Sequence, residues 1–284
     1  MIDDFYKELN TRLRGLYEKR ERKNLFYLLA KYILGFNASE LLLYKIENKF
    51  IEPNLYRELK QALRSLEKGV PIQYIFSKAS FFDFDLYVDK RVFIPRSETQ
   101  ELVEWVIEDH KQQSSLKVID IGTGSGAIAI ALSYYLKTPR VYAIDCCLEA
   151  LEVAKKNASS YLLDISFHHV DILKDTLEEV GDFFDIIISN PPYIKENEKR
   201  IMHTNVIDYE PHLALFVLND DPLIFYRIIL KWAKKRLSPK GTLYFEINQY
   251  LYKEVLALHK EMGYSQVELK KDIHGCPRMT KARL

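Results

Sequence analysis

Residues 117–131 read KVIDIGTGSGAIAIA, and this stretch decides the fold. It begins with a short apolar run that has the length of a buried strand, and it ends in a helical run. Gly122, Gly124 and Gly126 lie between them, where glycine permits backbone conformations closed to other residues and close approach to a ligand. The helix that follows offers free N–H groups and a partial positive charge at its start. The stretch therefore predicts a strand, a ligand-binding turn and a helix.

Two ligands suit such a turn, namely the pyrophosphate of a dinucleotide and the amino-acid end of S-adenosylmethionine. The glycines here follow the spacing Gly-x-Gly-x-Gly. The pyrophosphate fingerprint is Gly-x-Gly-x-x-Gly, so the spacing disfavours an NAD-dependent oxidoreductase. The sequence also lacks a Ser/Tyr/Lys set placed for hydride transfer.

Strand and helix patterns alternate from residue 117 to about residue 270, which predicts a doubly wound, Rossmann-like α/β sheet. The predicted strands after the first are 141–144, 165–170, 183–188, 242–247 and a last one around 267–269, and the predicted helices are 127–136, 148–158, 223–237 and 250–262. Ligands of such sheets bind at the carboxyl ends of the strands. We therefore expect the glycine turn, Asp145, Asp171 and Asn190 to meet in one crevice.

Two aspartates lie at predicted strand tips. Asp145 ends the second strand, where a carboxylate can accept hydrogen bonds from both hydroxyls of a ribose. Asp171 and the adjacent backbone are placed to read an adenine amine, and Ile172 to cover the ring. The alternative for Asp171 is a surface aspartate that caps a turn. The neighbouring His168 and His169 point to opposite faces of a strand, so we interpret them as structural and expect no metal.

Residues 190–193, Asn-Pro-Pro-Tyr, stop the apolar run 183–188 abruptly. Two prolines make a stiff turn whose carbonyls have few local donors, which suits the binding of a planar NH2 group. The Asn190 side-chain oxygen and the Pro191 carbonyl can each accept one hydrogen of that group. The Tyr193 ring can lie against its flat face. By composition alone the same residues are simply a loop.

The remainder of the chain predicts a second, smaller domain. Residues 2–68 have helical periodicity, which predicts a bundle of four or five helices, with Ser39 as a cap and Pro53 as a helix start. Residues 74–88 predict a short hairpin, residues 93–100 a segment across the mouth of the site, with Ser97 or Thr99 capping the next helix, and residues 195–212 a long loop. The predicted domains are 1–70, a helical bundle that grips a partner or covers the cleft; 71–92, a hairpin linker; and 93–284, the α/β domain.

Composition narrows the class of protein. Lys+Arg number 41 and Asp+Glu 40, so no overall charge commits the chain to nucleic acid or membrane. Residues 1–70 hold 14 Lys/Arg against 10 Asp/Glu, a modest basic excess. The three cysteines make neither a disulfide framework nor a zinc site, which indicates a reducing compartment. No signal peptide or membrane-spanning run is recognisable, so we expect a cytoplasmic protein. We also expect a monomer.

The residues resemble a known family. DIGTGSGAIAI at 120–130 together with SNPPYI at 189–194 is similar to class I S-adenosylmethionine-dependent methyltransferases that act on exocyclic or amide nitrogen. FIPRSET at 93–99, YEP at 209–211 and the helical N-terminal region narrow the resemblance to the peptide-chain release factor glutamine N5-methyltransferases, the PrmC/HemK family. The resemblance extends over nearly the whole chain. It implies S-adenosylmethionine as the cofactor and release factors as partners, without direct binding of nucleic acid.

The resemblance also implies roles for individual residues. The implied cofactor-binding set is Gly122, Thr123, Gly124, Ser125, Gly126, Asp145, Asp171, Ile172 and Asn190. The implied binding set for the glutamine amide of the Gly-Gly-Gln motif is Asn190, Pro191, Pro192 and Tyr193, of which Asn190, Pro191 and Tyr193 are catalytic. Arg96, Glu98 and Thr99 belong to the family's closing segment and complete the substrate-binding set.

The chain departs from the family pattern at three places near the substrate. The family usually reads Pro-Glu-Thr-Glu where this chain has Ser97-Glu98-Thr99-Gln100. It usually carries glycines where residues 218–221 read Leu-Asn-Asp-Asp, and Glu-Ile-Gly where residues 246–248 read Glu-Ile-Asn. These departures concern loop geometry near the substrate and not the cofactor.

Two other functions stay open at this point. An adenine-N6 methyltransferase of DNA or RNA would place the base's NH2 group in the same Asn-Pro-Pro-Tyr turn, but it needs a basic face and base flipping. Residues 117–250 show no conspicuous Lys/Arg cluster. A non-catalytic scaffold that only binds the cofactor is the second alternative, and the presence of both Asn190 and Asp145 argues against it.

Overall fold

The computed structural model describes residues 1–47, 49–175, 180 and 183–284. The chain divides into two compact units. Unit 1 comprises Met1–Lys78 and His203–Tyr209, and unit 2 comprises Ala79–Met202 and Glu210–Leu284. The chain therefore has a small helical unit and a larger α/β unit. The helical unit also includes a short segment from the second half of the sequence.

Unit 1 is helical. Its N-terminal helices are α1 (Ile2–Arg12), α2 (Lys19–Leu29), α3 (Ala38–Ile46), α4 (Pro53–Glu67) and α5 (Ile72–Ile75), and a short π-helix, Ala30–Leu34, follows α2. Apolar residues three and four apart bury one face of each long helix, and Leu9, Leu29, Leu59 and Leu63 are fully buried in a common core. Pro53 occupies the first position of α4, as the sequence predicts, because a proline there loses no helical hydrogen bond.

Two predictions in this region are wrong. Asn37 caps α3, because its side-chain oxygen accepts the N–H groups of Ser39 and Glu40 at 2.9 Å, and Ser39 lies inside the helix. Residues 74–76 do not begin a hairpin, because Pro71 starts the short helix α5 and its carbonyl accepts the Ile75 N–H at 3.1 Å. Side chains alone did not distinguish a helical turn from a strand over so short an apolar run.

Unit 2 is a Rossmann-like α/β fold. Its strands are β1 (Ala79–Phe81), β2 (Phe84–Leu86), β3 (Lys117–Ile121), β4 (Arg140–Asp145), β5 (Ile165–His169), β6 (Phe184–Ser189), β7 (Ile194–Lys195), β8 (Phe216–Val217), β9 (Leu237–Glu246), β10 (Gln266–Lys271) and β11 (Pro277–Arg283). Seven of them form one sheet in the order β10-β11-β9-β6-β3-β4-β5. The strands from β9 to β5 are parallel, and β11 runs antiparallel between β9 and β10.

Helices cover both faces of this sheet. They are α6 (Ser97–His110), α7 (Ala127–Tyr135), α8 (Leu148–Ser160), α9 (Ile224–Arg236) and α10 (Tyr252–Glu261). Alternate residues of each central strand point to opposite faces, so Val118 joins the core cluster of α6 and α7 while Ile119 joins that of α9 and α10. The hairpin β1–β2 packs into the first cluster through Phe81, Phe84 and Leu86. The predicted helical region, hairpin and doubly wound sheet are confirmed.

The register of the parallel strands places their carboxyl ends at one edge. Ile121, the last residue of β3, pairs with Ile144 of β4 and with Ser189 of β6. Asp145 pairs with His169, the last residue of β5. Because the sheet order reverses direction between β3 and β6, the residues that follow these strands surround a topological switch point.

One strand of the seven-stranded sheet and the two-residue strands β7 and β8 were not predicted from the sequence, and one long segment was predicted wrongly. The missed strand of the main sheet is β11, which begins with a proline and has only two apolar residues after it, so its apolar pattern is weak. Residues 195–212 do not form one extended loop. They contain the 3-10 helices Glu196–Ile201 and His212–Ala214 and the short helix Thr204–Tyr209, the last of which belongs to unit 1.

Within the described ranges no single helix has the length and apolar composition needed to cross a membrane. One bent pair, Lys19–Leu34 with Ala38–Ile46, passes that test on length and composition alone.

Candidate active site

The glycine turn follows β3 and is held by the neighbouring strand. Gly122, Gly124 and Gly126 all have positive φ, between 55° and 83°, which explains why side chains with a Cβ are absent there. The N–H groups of Gly122 and Thr123 both donate to the Ile144 carbonyl, at 2.9 and 3.0 Å. These hydrogen bonds to β4 hold the turn in its conformation without a ligand.

The three glycines serve two different purposes. A Cβ on Gly126 would come within 3.2 Å of the Ala154 Cβ, so this glycine allows α8 to pack closely on the turn. A Cβ on Gly122 or Gly124 would meet nothing within 4 Å. These two positions therefore line open space in front of the turn, where the backbone can approach a ligand.

Asp145 lies at the tip of β4 and contacts the turn directly. Its Oδ2 accepts the Gly124 N–H at 2.8 Å, and its Oδ1 accepts the Cys147 N–H at 3.0 Å. Burial raises the pKa of Asp145, and the N–H groups of Gly124 and Cys147 oppose this shift. Each carboxylate oxygen keeps a second lone pair, so the group can still accept hydrogen bonds from ligand hydroxyls.

A second carboxylate under the turn, Asp120, was missed by the sequence analysis. It is fully buried, and its Oδ2 accepts the Thr123 hydroxyl at 2.7 Å. Burial raises the pKa of Asp120 to about 7, against the opposing effect of the Thr123 hydroxyl. The available signal was a charged residue inside the otherwise apolar run 118–121, because an aspartate is rarely buried in a strand unless it has a partner.

Asn157 was also missed. Its buried side chain donates to the carbonyls of Ser125 and Tyr87, both at 2.9 Å, and its oxygen accepts the Tyr87 N–H at 2.7 Å. Asn157 thus ties the glycine turn to the segment that follows the hairpin. It lies three residues after Ala154 on the inward face of α8, and a polar residue on that face was the available signal.

Asp171 lies two residues beyond the end of β5, and its side chain is engaged locally. Its Oδ1 accepts the Leu173 N–H at 3.0 Å, and its Oδ2 pairs with Lys174 at 2.8 Å. Although partial burial opposes the shift, the Lys174 ammonium and the Leu173 N–H lower the pKa of Asp171. The side chain therefore caps a turn, as the alternative interpretation has it. Its contact with an adenine amine, and that of Ile172 with the ring, stay predictions.

Asn190 follows β6 and its side chain has a defined orientation. The amide Nδ2 donates to the Thr99 hydroxyl oxygen at 3.0 Å. The Thr99 hydroxyl in turn donates to Glu246 Oε2 at 2.6 Å, with both residues buried. With its NH2 group engaged in this way, the half-buried Asn190 has its side-chain oxygen left as the acceptor for a ligand.

Tyr193 is bound to the same glutamate. Its hydroxyl donates to Glu246 Oε1 at 2.8 Å, and its carbonyl accepts the Asn248 side-chain N–H at 3.1 Å. Burial raises the pKa of Glu246, against the opposing effects of the Thr99 and Tyr193 hydroxyls and of Arg278. From the sequence, Glu246 and Asn248 are recognisable only as family positions, because nothing in the local pattern connects them to residues 190–193.

The closing segment is fixed by a buried glutamate. Arg96 forms an ion pair with Glu210, and Glu210 Oε2 also accepts the Ile94 N–H at 3.1 Å. The Arg96 guanidinium lies 4.6 Å from the centre of the Phe93 ring. Glu98 accepts a hydrogen bond from the Ser97 hydroxyl at 3.0 Å. The segments 93–99 and 209–211, which the sequence analysis singled out separately, are therefore joined at Glu210.

The predicted cap of α6 is wrong. The helix begins at Ser97 after Arg96, and no side-chain hydrogen bond caps it. Thr99 lies within the first turn, but its hydroxyl points to Glu246 on β9 instead of to the backbone. A strong buried acceptor from another strand outcompetes local capping here.

The departures from the family pattern have identifiable contacts. Gln100 accepts the Phe82 N–H of the hairpin at 3.3 Å. Asn219 accepts the Asn197 N–H at 3.1 Å, and Asp221 pairs with Arg227 at 2.6 Å. Asn248, where the family usually has glycine, braces the Tyr193 carbonyl.

A narrow cleft opens beside the Asn-Pro-Pro-Tyr turn. Its volume is about 30 Å³, and its lining consists of Phe93, Asn190, Pro191, Tyr193, Ile194, Ala214 and Leu215. A larger cavity of about 400 Å³ lies elsewhere, beside the amino ends of β6 and β9, away from the glycine turn.

Comparison with known proteins identifies the family. Residues 99–213 match the methyltransferase small domain family. A release factor glutamine methyltransferase of Flavobacterium psychrophilum is 41% identical over 287 residues, covering 99% of this chain and 98% of that protein. One from Bacteroides thetaiotaomicron is 38% identical and covers 95% of each chain. The chain belongs to the release factor glutamine methyltransferases. It is therefore an S-adenosylmethionine-dependent methyltransferase.

Solved structures support the fold. A methyltransferase from Pyrococcus furiosus superposes with a TM-score of 0.51 at 17% identity, covering 72% of this chain and 89% of that one. The delta-N METTL16 MTase domain superposes with a TM-score of 0.52 at 17% identity, covering 71% and 88%. Identities this low establish the methyltransferase fold and nothing finer.

The residues at the glycine turn fit S-adenosylmethionine. Gly122 and Gly124 leave open space where a side chain would stand, and two carboxylates, Asp120 and Asp145, adjoin the turn. The amino-acid end of the cofactor carries an ammonium group and its sulfur carries a positive charge, so acidic neighbours complement it. Asp145 also retains acceptor capacity for the ribose hydroxyls.

Proposed function

We propose that this protein transfers the methyl group of S-adenosylmethionine to the side-chain amide N5 of the glutamine in the Gly-Gly-Gln motif of peptide-chain release factors. The observation that carries the proposal is the Asn190 turn, whose side-chain oxygen is free to accept while its NH2 group is held by Thr99. Full-length relatives named release factor glutamine methyltransferase support the choice of substrate.

An amide nitrogen is a weak nucleophile because its lone pair is delocalised into the carbonyl. The Asn190 side-chain oxygen and the Pro191 carbonyl accept the two hydrogens of the substrate NH2 group, which raises the electron density on nitrogen. The Tyr193 ring packs against the amide plane and fixes the direction of the lone pair. Cofactor bound at the glycine turn supplies a methyl group on a positively charged sulfur.

The chain's main contribution to the rate is positioning. Holding nitrogen and methyl carbon in line can lower the barrier by ~7–11 kcal/mol at best. A new N–C bond forms, the S–C bond breaks with its electrons on sulfur, and one proton leaves the nitrogen for water or a neighbouring acceptor. No strong general base is required, because the proton becomes acidic only as the methyl group is transferred.

The experiment that tests this function is methyl transfer from labelled S-adenosylmethionine to purified release factor. A release factor whose Gly-Gly-Gln glutamine is changed to alanine and a duplex DNA serve as parallel acceptors. We expect label on the wild-type factor only. Label on DNA would show that the acceptor is nucleic acid, as in the adenine-N6 alternative, and label on both release factors would place the methyl group on another residue.

A further inference from the structure

Glu246 lies at the centre of a chain of buried hydrogen bonds. Only 2% of its surface is exposed, and each of its carboxylate oxygens accepts one hydroxyl. Oε2 accepts Thr99 at 2.6 Å, and Oε1 accepts Tyr193 at 2.8 Å. Thr99 links Glu246 to Asn190, because the Thr99 hydroxyl oxygen accepts a hydrogen bond from the Asn190 side-chain NH2 group. One carboxylate thus contacts two residues that flank the substrate amide in the proposed function, one directly and one through Thr99.

The direction of these hydrogen bonds is fixed by the carboxylate. An ionised carboxylate can only accept, so the Thr99 hydroxyl donates its single hydrogen to Glu246. Thr99 then has only lone pairs to offer to Asn190, and the Asn190 side chain must turn its NH2 group toward Thr99. The carbonyl oxygen of the Asn190 amide is consequently the atom that faces a ligand. The reverse orientation would present NH2 to the NH2 of the substrate.

We propose that Glu246 is a positioning residue that acts through Thr99 to keep the acceptor oxygen of Asn190, and not its NH2 group, directed at the substrate amide. This inference rests on the proposed function for the identity of that amide. Tyr193 is held by the other oxygen, which fixes its ring beside the same turn.

The first test compares variants at the middle of this chain. Thr99→Val keeps the shape of the side chain but removes the hydroxyl, so the Asn190 amide is free to turn. We expect kcat for release-factor methylation to fall by about tenfold or more, while KM and cofactor affinity change by less than about threefold. Thr99→Ser keeps a hydroxyl and should recover most of the lost kcat.

The second test changes the glutamate. In Glu246→Gln the amide oxygen accepts one of the two hydroxyls and the NH2 group meets the other, so the Thr99 hydroxyl is no longer obliged to point away from Asn190. We expect kcat to fall, by no more than in Thr99→Val. Combining the two changes should cost less than the product of the single losses, because both interrupt one chain. Tyr244→Phe is the matched control. It removes the buried hydroxyl of a residue on β9, the strand that carries Glu246, and this hydroxyl donates to Asp109 at 2.7 Å.

A pH profile gives a readout that packing alone does not change. Below the pKa of Glu246 its carboxyl must donate one hydrogen, which reverses one hydrogen bond, so wild-type kcat should fall on the acid side. Glu246→Gln should lack that fall. The titratable and charged groups that face Glu246 are Tyr193, Tyr226, Glu98 and Arg278. None of them is altered in the variant.

The side-chain NH2 signal of Asn190 in an NMR spectrum reports the orientation without any turnover. In the wild type we expect a nuclear Overhauser contact between these protons and the Thr99 side chain, and in Glu246→Gln a weaker one. Equal kcat in wild type, Thr99→Val and Glu246→Gln, or unchanged contacts, would overturn the inference. A wild type with this contact but no methyl transfer to release factor would instead refute the proposed function.

Discussion

At the scale of single residues, Asn190 connects the fold to the chemistry. It follows the last residue of β6, and its orientation is set by Thr99. We expect Asn190→Ala and Asn190→Asp to reduce kcat by about 100-fold or more, because the substrate amide loses an acceptor or meets a misplaced charge. Cofactor affinity should fall far less than kcat, because Asn190 is one of several implied cofactor contacts and the glycine turn itself is held by β3 and β4. Steady-state kinetics and calorimetric titration measure the two quantities. A variant with near wild-type turnover would contradict this role.

Asp120 is the second residue whose charge matters. Its pKa of about 7 in the free protein reflects burial under the glycine turn. The cofactor brings positive charge to that turn and favours the ionised carboxylate, so binding should release protons. We expect affinity for S-adenosylmethionine to rise by up to about tenfold between about pH 6 and pH 8. Titration calorimetry in two buffers of different ionisation enthalpy measures the released protons.

The control for this prediction is Asp120→Asn, whose side chain can still accept the Thr123 hydroxyl but does not titrate. Its affinity for the cofactor should be lower than that of the wild type at about pH 8 and less dependent on pH. Equal affinity of the wild type at both pH values, without proton release, would contradict the prediction.

At the scale of elements, the closing segment depends on Glu210. Its side chain is 1% exposed, pairs with Arg96 and accepts the Ile94 N–H. We expect Glu210→Ala to lower the free energy of unfolding by about 3 kcal/mol, because it leaves an unpaired guanidinium and an unsatisfied N–H group. Urea unfolding measures this. Asp221→Ala is the control, because it breaks the ion pair with Arg227, whose partners are 41% and 38% exposed, and should cost less than about 1 kcal/mol. Equal losses in the two variants would refute the structural role of Glu210.

Among the elements of the site, the positions of the strand ends could be predicted from the sequence, but their contacts could not. The strand tips were predictable, because an apolar run followed by Gly122, Asp145 or Asn190 marks a carboxyl end, and parallel register brings such ends together. The partners of those tips were not. Thr99 and Glu246 are 147 positions apart, and local periodicity cannot predict a hydrogen bond between residues so far apart in the sequence. The same limit applies to Asp120 and Asn157, since each is a polar residue at an inward position whose hydrogen-bond partners cannot be deduced from the local pattern.

At the scale of the whole molecule, the N-terminal helices share a compact unit with a segment from the second half of the sequence. The Tyr209 hydroxyl donates to the Lys68 carbonyl at 2.8 Å, and His203 bonds the Leu16 carbonyl at 3.2 Å and stacks on Tyr17. Residue 210 belongs to the other unit and is the glutamate that holds the closing segment. Tyr209, the last residue of this segment of unit 1, is thus followed directly in the chain by Glu210 of unit 2.

We propose that unit 1 recognises the release factor outside its Gly-Gly-Gln loop. A truncated chain without residues 1–68 should then lose methylation of the intact factor far more than binding of S-adenosylmethionine. A short peptide that contains Gly-Gly-Gln is the discriminating substrate, because it is too small to reach beyond the active site. We expect the truncated and full-length proteins to methylate this peptide with kcat/KM values within about threefold, and to differ by about tenfold or more on the intact factor. Equal losses on peptide, factor and cofactor binding would mean that residues 1–68 only stabilise the fold, since their removal also strands residues 203–209.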